Sequence, residues 1–447
     1  MKNKDIYLFN SLTKQKELFK PLRSGKVSMY VCGPTVYDYV HVGNMRPVVV
    51  FDTLRRFFEY CGYEVTFVSN YTDVDDRIIE KALATNKSEK EISEYYIDAY
   101  DESIKALNAK RPSFAPKATS HIESMIKFIE TLIANNAAYA KDGEVFFRVH
   151  AVKEYGELSN ISQDDLQVGA RIEENSKKEH PHDFLLWKKT SDNGIKWPSP
   201  WGEGRPGWHT ECVVMINDIF DEPLIDIHGG GFDLKFPHHE NEIAQAKAFK
   251  NTTLANYWLH NGFINLNNQK MSKSLGNFVT ANDFIQKYGA SALRLLLLST
   301  HYRSPVNLSE DIIMNTQNEI DKLRRTLMAF NRYFAVNPKV SNDTLALSKF
   351  EEALSDDLNT PNALSEMYNV IKEANVALRR SQNNEENIAK LYNTLMLMLE
   401  VLGLDLGVKE LSEEDIKLLK DYENARLNKD FAKSDELRNL LQARGIL

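Results

Sequence analysis

The feature that most narrows the possible folds is a strand, a helix and a second strand in close succession near the N-terminus. KVSMYVC (Lys26–Cys32) is an apolar strand. MRPVVVFDTLRRFFEYC spaces Val50, Phe51, Leu54, Phe57, Phe58 and Cys61 as one helical face from about Met45, and Gly62 is its C-terminal stop. YEVTFVSN then alternates through strong β-formers. Strand, helix, strand in this order predicts a parallel βαβ unit and a doubly wound sheet.

From about Ser120 the pattern changes. HIESMIKFIETLIANNAAY predicts an amphipathic helix, and EVFFRV a strand foreign to the first sheet. The run WKKTSDNGIKWPSPWGEGRPGWHTEC reads as loop-rich, so residues 121–204 are taken as an insertion. The parallel pattern resumes with PLIDIHGGG and the helix HHENEIAQAKAF. Beyond Gly276 the chain is nearly all helical: Ile313, Thr316, Ile320, Leu323, Leu327, Phe330 and Phe334 alternate steps of four and three, a bundle-forming stripe. Helices are also expected at 361–381, 385–402 and 412–443. The expected architecture is α/β: a split, Rossmann-like doubly wound parallel sheet with an insertion, then an all-α bundle. A length of 447 residues suits two to four such units.

Composition removes several classes. No apolar run nears the ~20 residues of a membrane helix; LRLLLL (Leu293–Leu298) is far too short. MKNKDIYLFN lacks a secretory core. Only Cys32, Cys61 and Cys212 are present, too few for a disulfide framework, which points to a reducing cytoplasm. A net charge of −8 argues against wholesale nucleic-acid binding but leaves room for local basic patches.

Three places carry chemistry. HVGN (His41–Asn44) follows the first strand, where Gly43 permits close backbone approach and His41 and Asn44 offer donors to phosphate; a simple turn before a helix is the plainer alternative. KMSKS (Lys270–Ser274) offers Lys270 and Lys273, which could close over a polyphosphate or merely decorate a solvated loop. His238 and Glu242 share a helical face at a spacing of four, with His239 and Glu242 at three as the competing pair. With the thiols of Cys32 and Cys212 they would complete a tetrahedral zinc set; burial as apolar residues is the alternative fate of both thiols. Cys61 is taken as core.

HVGN, KMSKS, CGPTVYDYVHVGN, NYTDVDDRI, GRPGWHTEC, DIHGGGFDLKFPHHENEIAQ and DDLNTPNAL together resemble the class I aminoacyl-tRNA synthetases and, within them, the cysteinyl branch. The resemblance runs from the first strand into the helical region. It implies an ATP-dependent ligase that activates L-cysteine as cysteinyl-adenylate, with Mg²⁺ accompanying ATP, and transfers it to the terminal ribose of tRNA(Cys). It implies one zinc per chain, on Cys32, Cys212, His238 and Glu242, that selects cysteine over serine through sulfur. His41, Asn44, Lys270 and Lys273 would serve the phosphates. Thr72, Trp208 and His228 would line the amino-acid pocket, with Gly229, Gly230 and Asp233 beside substrate and adenosine. The implied division is 1–120 with 205–265 as the nucleotide-binding domain, 121–204 as the insertion, 266–308 as the KMSKS and stem-contact region, 309–403 as the tRNA-binding bundle, and 404–447 as an incomplete anticodon-contact module. Lys322, Arg324, Arg325, Arg332, Arg379 and Arg380 are the candidate phosphate contacts. A cytoplasmic monomer without membrane contact is expected. Two rivals stay open: a ligase passing the same adenylate to an amino sugar, and a non-catalytic zinc-bearing RNA-binding relative.

Overall fold

The computed structural model describes residues 4–161, 177–190, 193–266, 269–270, 278–380 and 384–447. A hairpin, β1 (Tyr7–Asn10) and β2 (Gln15–Leu18), precedes the parallel unit. That unit is β3 (Lys26–Val31), α1 (Val42–Tyr60) and β4 (Glu64–Ser69), as the sequence pattern requires. Helix α1 begins three residues earlier than its apolar spacing suggests. Val42, Gly43 and Asn44 form its first turn, and the Asn44 side chain caps the His41 N–H at 3.1 Å. Pro47 lies inside α1, past its first turn, where the missing N–H removes one intrahelical hydrogen bond.

After α2 (Asp76–Thr85), α3 (Glu89–Ala106) and α4 (Ile122–Ala134) comes a separate antiparallel sheet: β5 (Ala138–Lys141), β6 (Glu144–Phe147), β7 (Phe184–Lys189) and β8 (Gly204–Pro206). The presumed loop at WHTEC is instead the start of a helix, α5 (Trp208–Phe220). Its residues Thr210–Ile216 are all buried, so the sequence shows no polar face from which to recognise a helix. β9 (Ile225–Gly231), α6 (Glu240–Lys250) and β10 (Ala255–Asn261) return the chain to the first sheet, whose order is β10-β9-β3-β4, all parallel. The order reverses between β3 and β9. In doubly wound folds ligands bind at such a switch point, beyond the C-terminal strand ends.

β11 (Ile264–Leu266) pairs with β12 (Gln269–Lys270) and, in parallel, with β13 (Val306–Leu308). Helices α7 (Ala281–Tyr288) and α8 (Ala290–Leu298) lead into the bundle of α9 (Glu310–Val336), α10 (Ser348–Ser355), α11 (Thr360–Arg379) and α12 (Glu385–Leu402), followed by the hairpin α13 (Glu413–Leu427) and α14 (Phe431–Ala443). LRLLLL is the buried helix α8, and Cys61 is core. Arg324 and Arg332 donate to the carbonyls of Leu406 and Ile446, so these two candidate phosphate contacts hold the C-terminal segment against α9. Among the described residues no helix is long and apolar enough to cross a membrane.

One buried ionic node joins the sheet to the bundle. Asp52 of α1 accepts from Arg56 at 2.8 Å and from Arg294 of α8, while Arg294 also donates to the carbonyls of Leu107 and Leu402. All three side chains are nearly inaccessible to water. Removing one partner of a buried pair strands the other charges, at a cost of about 3–5 kcal/mol. Asp52→Asn is therefore expected to lower the midpoint of urea unfolding markedly, and an unchanged midpoint would show that the arginines are satisfied by carbonyls alone.

Candidate active site and metal centre

The crevice at the switch point is floored by the ends of β3 and β9, where the Cys32 N–H bonds the Gly229 carbonyl at 3.2 Å. Cys32 thus stands at the mouth of a central strand. Helix α5 brings Cys212 from one side. The turn leading into α6 brings His238, and α6 itself brings Glu242. Gly229 and Gly230 have local reasons. A Cβ on Gly229 would enter the Phe51 ring at 2.2 Å, and one on Gly230 would meet Leu234 at 2.9 Å and His239 at 3.1 Å.

The four donor atoms of Cys32, Cys212, His238 and Glu242 lie within 4.8 Å of one another. Sγ to Sγ is 3.6 Å, Cys32 Sγ to Glu242 Oε1 is 3.8 Å, Cys212 Sγ to His238 Nε2 is 3.7 Å, and His238 Nε2 to Glu242 Oε1 is 3.0 Å. A tetrahedron built on zinc bonds of about 2.0–2.3 Å has edges of roughly 3.3–3.8 Å, close to this arrangement. Thiol, imidazole and carboxylate are also the donors that zinc prefers. The residues fit a zinc ion.

A second quartet shares two members with the first: Cys32, His228, His239 and Glu242. His239 Nε2 is 3.3 Å from Cys32 Sγ. Its other ring nitrogen, however, bonds His260 at 2.8 Å, and His260 bonds Ser11 at 2.8 Å. His228 spends both nitrogens, on the Tyr30 carbonyl at 3.2 Å and on Glu242 Oε2 at 2.7 Å. Such a chain orients a ligand from behind it. The first quartet has two sulfurs and the second has one.

Burial and mutual contact shift the protonation of all four donors. Cys212 is drawn down to about 6, first by its hydrogen bond with Cys32 and against the opposing effect of burial. Burial and the neighbouring Cys212 push Cys32 up, so the pair shares one proton. Burial would raise Glu242, but the charges of His228, His238 and His239 hold it well below the usual carboxylate range. Burial likewise lowers His238, and the charge of Glu242 and the bond to Cys212 overcome it, lifting the imidazole to about 10. A thiolate and a carboxylate buried side by side require positive charge between them, which the His238 imidazolium supplies here and a metal ion would supply when bound.

Beside this cluster opens a cavity of about 470 Å³ whose walls include Cys32, His41, Asn44, Trp208, Asp233 and Asn261. Its size suits a nucleotide-sized ligand. Trp208 is 39% exposed and stacks on His238 with ring centroids 4.2 Å apart. Thr72 is buried and donates to Glu211 at 3.0 Å. His228 is fully buried behind Glu242 rather than on the cavity wall. The structure thus brings together Cys32, His41, Asn44, Trp208, Asp233 and the remaining metal donors. Lys270 enters only as the end of β12, and Lys273 lies outside the described residues.

The sequence reading passed over several residues that shape the site. Glu211 is a buried carboxylate next to Cys212, and Asn70 receives the Gly33 N–H at 2.9 Å. His209 meets His238 at 3.0 Å, and Gln245 bonds Thr210 at 3.0 Å. Glu240, between the two donors of the HHENE stretch, accepts from the backbone of Gly156 at 2.9 Å and of Ser159 at 2.7 Å, clamping the donor helix to the insertion. Of these residues only Gln245 carried a local signal, as a polar residue within the run EIAQA after HHEN.

A doubly wound sheet with a cavity at its switch point, an antiparallel insertion and a following helical bundle is the architecture of class I tRNA synthetases. A solved Mycobacterium tuberculosis methionyl-tRNA synthetase in complex with methionyl-adenylate superposes with a TM-score of 0.62 at 16% identity, over 89% of this chain and 93% of that one. A structure described as a putative arginyl-tRNA synthetase from Campylobacter jejuni gives 0.57 at 13%, over 86% and 93%. At those identities the likeness is one of fold. The narrower grouping comes from sequence: residues 18–318 match the model of the class I (C) tRNA synthetase catalytic domain, and 349–407 match the DALR domain. The chain belongs to the class I (C) tRNA synthetase family. It is 45% identical to a cysteine–tRNA ligase of Oceanobacillus iheyensis over 99% of this chain and 97% of that protein. It is 44% identical to the cysteine–tRNA ligase of Staphylococcus aureus over the same shares.

Proposed function

We propose that this protein is a cysteine–tRNA ligase. The carrying observation is a two-thiol, imidazole and carboxylate cluster on the wall of the switch-point cavity, in a chain of this family. Cys32, Cys212, His238 and Glu242 would hold one zinc ion. When bound, that ion supplies a Lewis-acidic contact for which a thiol competes far better than an alcohol. Packing alone separates such near-isosteres by only about 10²-fold, so cysteine and serine need this further distinction.

In the first step the cysteine carboxylate attacks the α-phosphate of ATP, giving cysteinyl-adenylate and releasing pyrophosphate. In the second the terminal ribose hydroxyl of tRNA(Cys) attacks the adenylate carbonyl and releases AMP. The chain's own groups position and stabilise. His41 and the first turn of α1 offer donors to the triphosphate, with Mg²⁺ accompanying ATP as part of the substrate. Asn44 acts mainly through His41, since its carbonyl caps the His41 N–H. Trp208 and Thr72 would shape the amino-acid pocket, and His228 orients Glu242. Gly229, Gly230 and Asp233 border substrate and adenosine, and Lys270 and Lys273 would meet the charge of the leaving pyrophosphate. We further read 1–120 with 205–265 as catalytic, 121–204 as the insertion, 266–308 as stem-contacting, 309–403 as the tRNA-binding bundle and 404–447 as anticodon-proximal, in a cytoplasmic monomer.

The deciding experiment is ATP-dependent attachment of labelled cysteine to bulk bacterial tRNA, with serine alongside and with chelator-stripped protein in parallel. Cysteine alone is expected to be attached, and stripping is expected to abolish attachment. Equal charging with serine would overturn the sulfur-reading mechanism. Absence of cysteine activation would overturn the ligase reading.

A further inference from the structure

At the mouth of the cavity lies a group of tyrosines that the chemistry above leaves unused. Tyr39 lines the cavity, and its hydroxyl is 2.6 Å from that of Tyr95 on α3. Tyr95 is 52% exposed and Tyr39 38%. Tyr39, Tyr95 and Tyr96 stand edge to face, with centroids 6.2, 5.4 and 5.1 Å apart for the pairs 39–95, 39–96 and 95–96. The core-facing side of α3 is formed by Ile92, Ile97, Tyr100 and Ile104, with Tyr96 half-buried against the same core, so core packing does not explain why Tyr95 projects outward. Exposed rings at the edge of a cavity, here Tyr39 and Tyr95 braced by the half-buried Tyr96, mark a contact surface.

Cations adjoin the rings. Lys81 Nζ is 5.6 Å from the Tyr96 centroid and Lys87 Nζ is 5.9 Å from that of Tyr95. Farther into the cavity, Arg77 lies 4.8 Å over Tyr37. The same surface carries carboxylates: Asp38 pairs with Lys81 at 3.7 Å, Asp75 with Arg77 at 2.8 Å, and Glu94 with Lys90 at 3.8 Å and Lys117 at 4.0 Å. Charge here is nearly balanced, which is a poor match for the dense phosphates of a duplex. Rings with a few cations at their edges instead suit unpaired bases, each of which has a face to stack.

We propose that the Tyr39–Tyr95–Tyr96 cluster is the stacking platform for the unpaired 3′-terminal nucleotides of tRNA on their way into the cavity. This rests on the ligase reading, which requires the 3′ end of an RNA to reach the adenylate. Tyr95 is the residue to test, because it is exposed and stands outside the reaction machinery.

The experiment measures binding of a tRNA(Cys) transcript, and of the same transcript stripped of its unpaired 3′ end, to the wild-type protein, Tyr95→Ala and Tyr95→Phe, alongside cysteine-dependent ATP–pyrophosphate exchange. Tyr95→Ala is expected to weaken the whole transcript about tenfold, ~1.4 kcal/mol and within the range of one base–aromatic stack. Tyr95→Phe, which keeps the ring, should stay within about twofold of wild type for the same reason. The stripped transcript and the exchange reaction should be indifferent to both changes. Undiminished binding by Tyr95→Ala would overturn the proposal, as would equal weakening of both transcripts or a loss in Tyr95→Phe matching that in Tyr95→Ala. No exchange in the wild type would overturn the ligase reading and this inference with it, a result distinguishable from the other three.

Discussion

Cys212→Ser is expected to lose zinc, and cysteine activation with it, while the fold is retained. Oxygen replaces sulfur at nearly the same volume in a fully buried helix position, so packing changes little. The donor set changes greatly. A serine hydroxyl does not ionise near neutrality, and the site would keep one thiolate, one imidazole and one carboxylate. Loss of an outer contact to a metal ligand already costs about 10–100-fold in affinity, so loss of a ligand should exceed about 100-fold. Metal content after equilibration against a chelator, with thermal unfolding as the control for folding, reads the effect directly. The same variant separates the two overlapping quartets. Cys212 belongs only to the set containing His238, whereas Cys32 and Glu242 belong to both. If Cys212→Ser keeps its metal, the ion must sit on Cys32, His228, His239 and Glu242, and the assignment through His238 is wrong.

That ambiguity shows where sequence reading ends. β3, α1 and β4 were legible because each has one apolar period and a stop signal, and the strand PLIDIHGGG declared itself through an apolar run closing on glycines. α5 was not legible: it starts directly after Pro206 and Gly207 and is buried on every side from Thr210 to Ile216, so neither breaker residues nor periodicity announce a helix. The choice between His238 and His239 was out of reach of spacing, and only the family resemblance pointed to His238. A spacing of four assumes a regular helix, yet both histidines sit in a wide turn preceded by Phe236 in an extended conformation. There both imidazoles reach Cys32 or its neighbours, and only the outer partners, His260 for one and His209 for the other, distinguish them. Such partners come from β10 and α5, distant in the chain, and no local pattern encodes them. The charge state of the cluster is a property of the same convergence.

Lys270→Ala and Lys273→Ala are expected to lower the turnover of cysteine-dependent ATP–pyrophosphate exchange, each by about 10²–10³-fold, the usual cost of removing one group that meets developing charge. Lys270 ends β12 and pairs in register with Asn265 of β11, whose neighbour Ile264 lines the cavity. β11 is in turn fixed in parallel to β13, so the lysine is carried by a strand anchored beside the cavity. The expected signature is a fall in kcat with the KM for ATP little altered, because the contact strengthens as pyrophosphate departs rather than when ATP binds. A raised KM with kcat preserved would mean that the lysines serve ATP binding alone, and no change in either would return KMSKS to a solvated loop. Zinc content gives the internal control. On the proposed reading Lys270 would act on the triphosphate and Cys212 on the side of the amino acid, so Lys270→Ala is expected to keep its metal while losing rate. Should Lys270→Ala shed zinc as well, the two halves of the site would be one folding unit, and neither variant could then be read as a measure of chemistry.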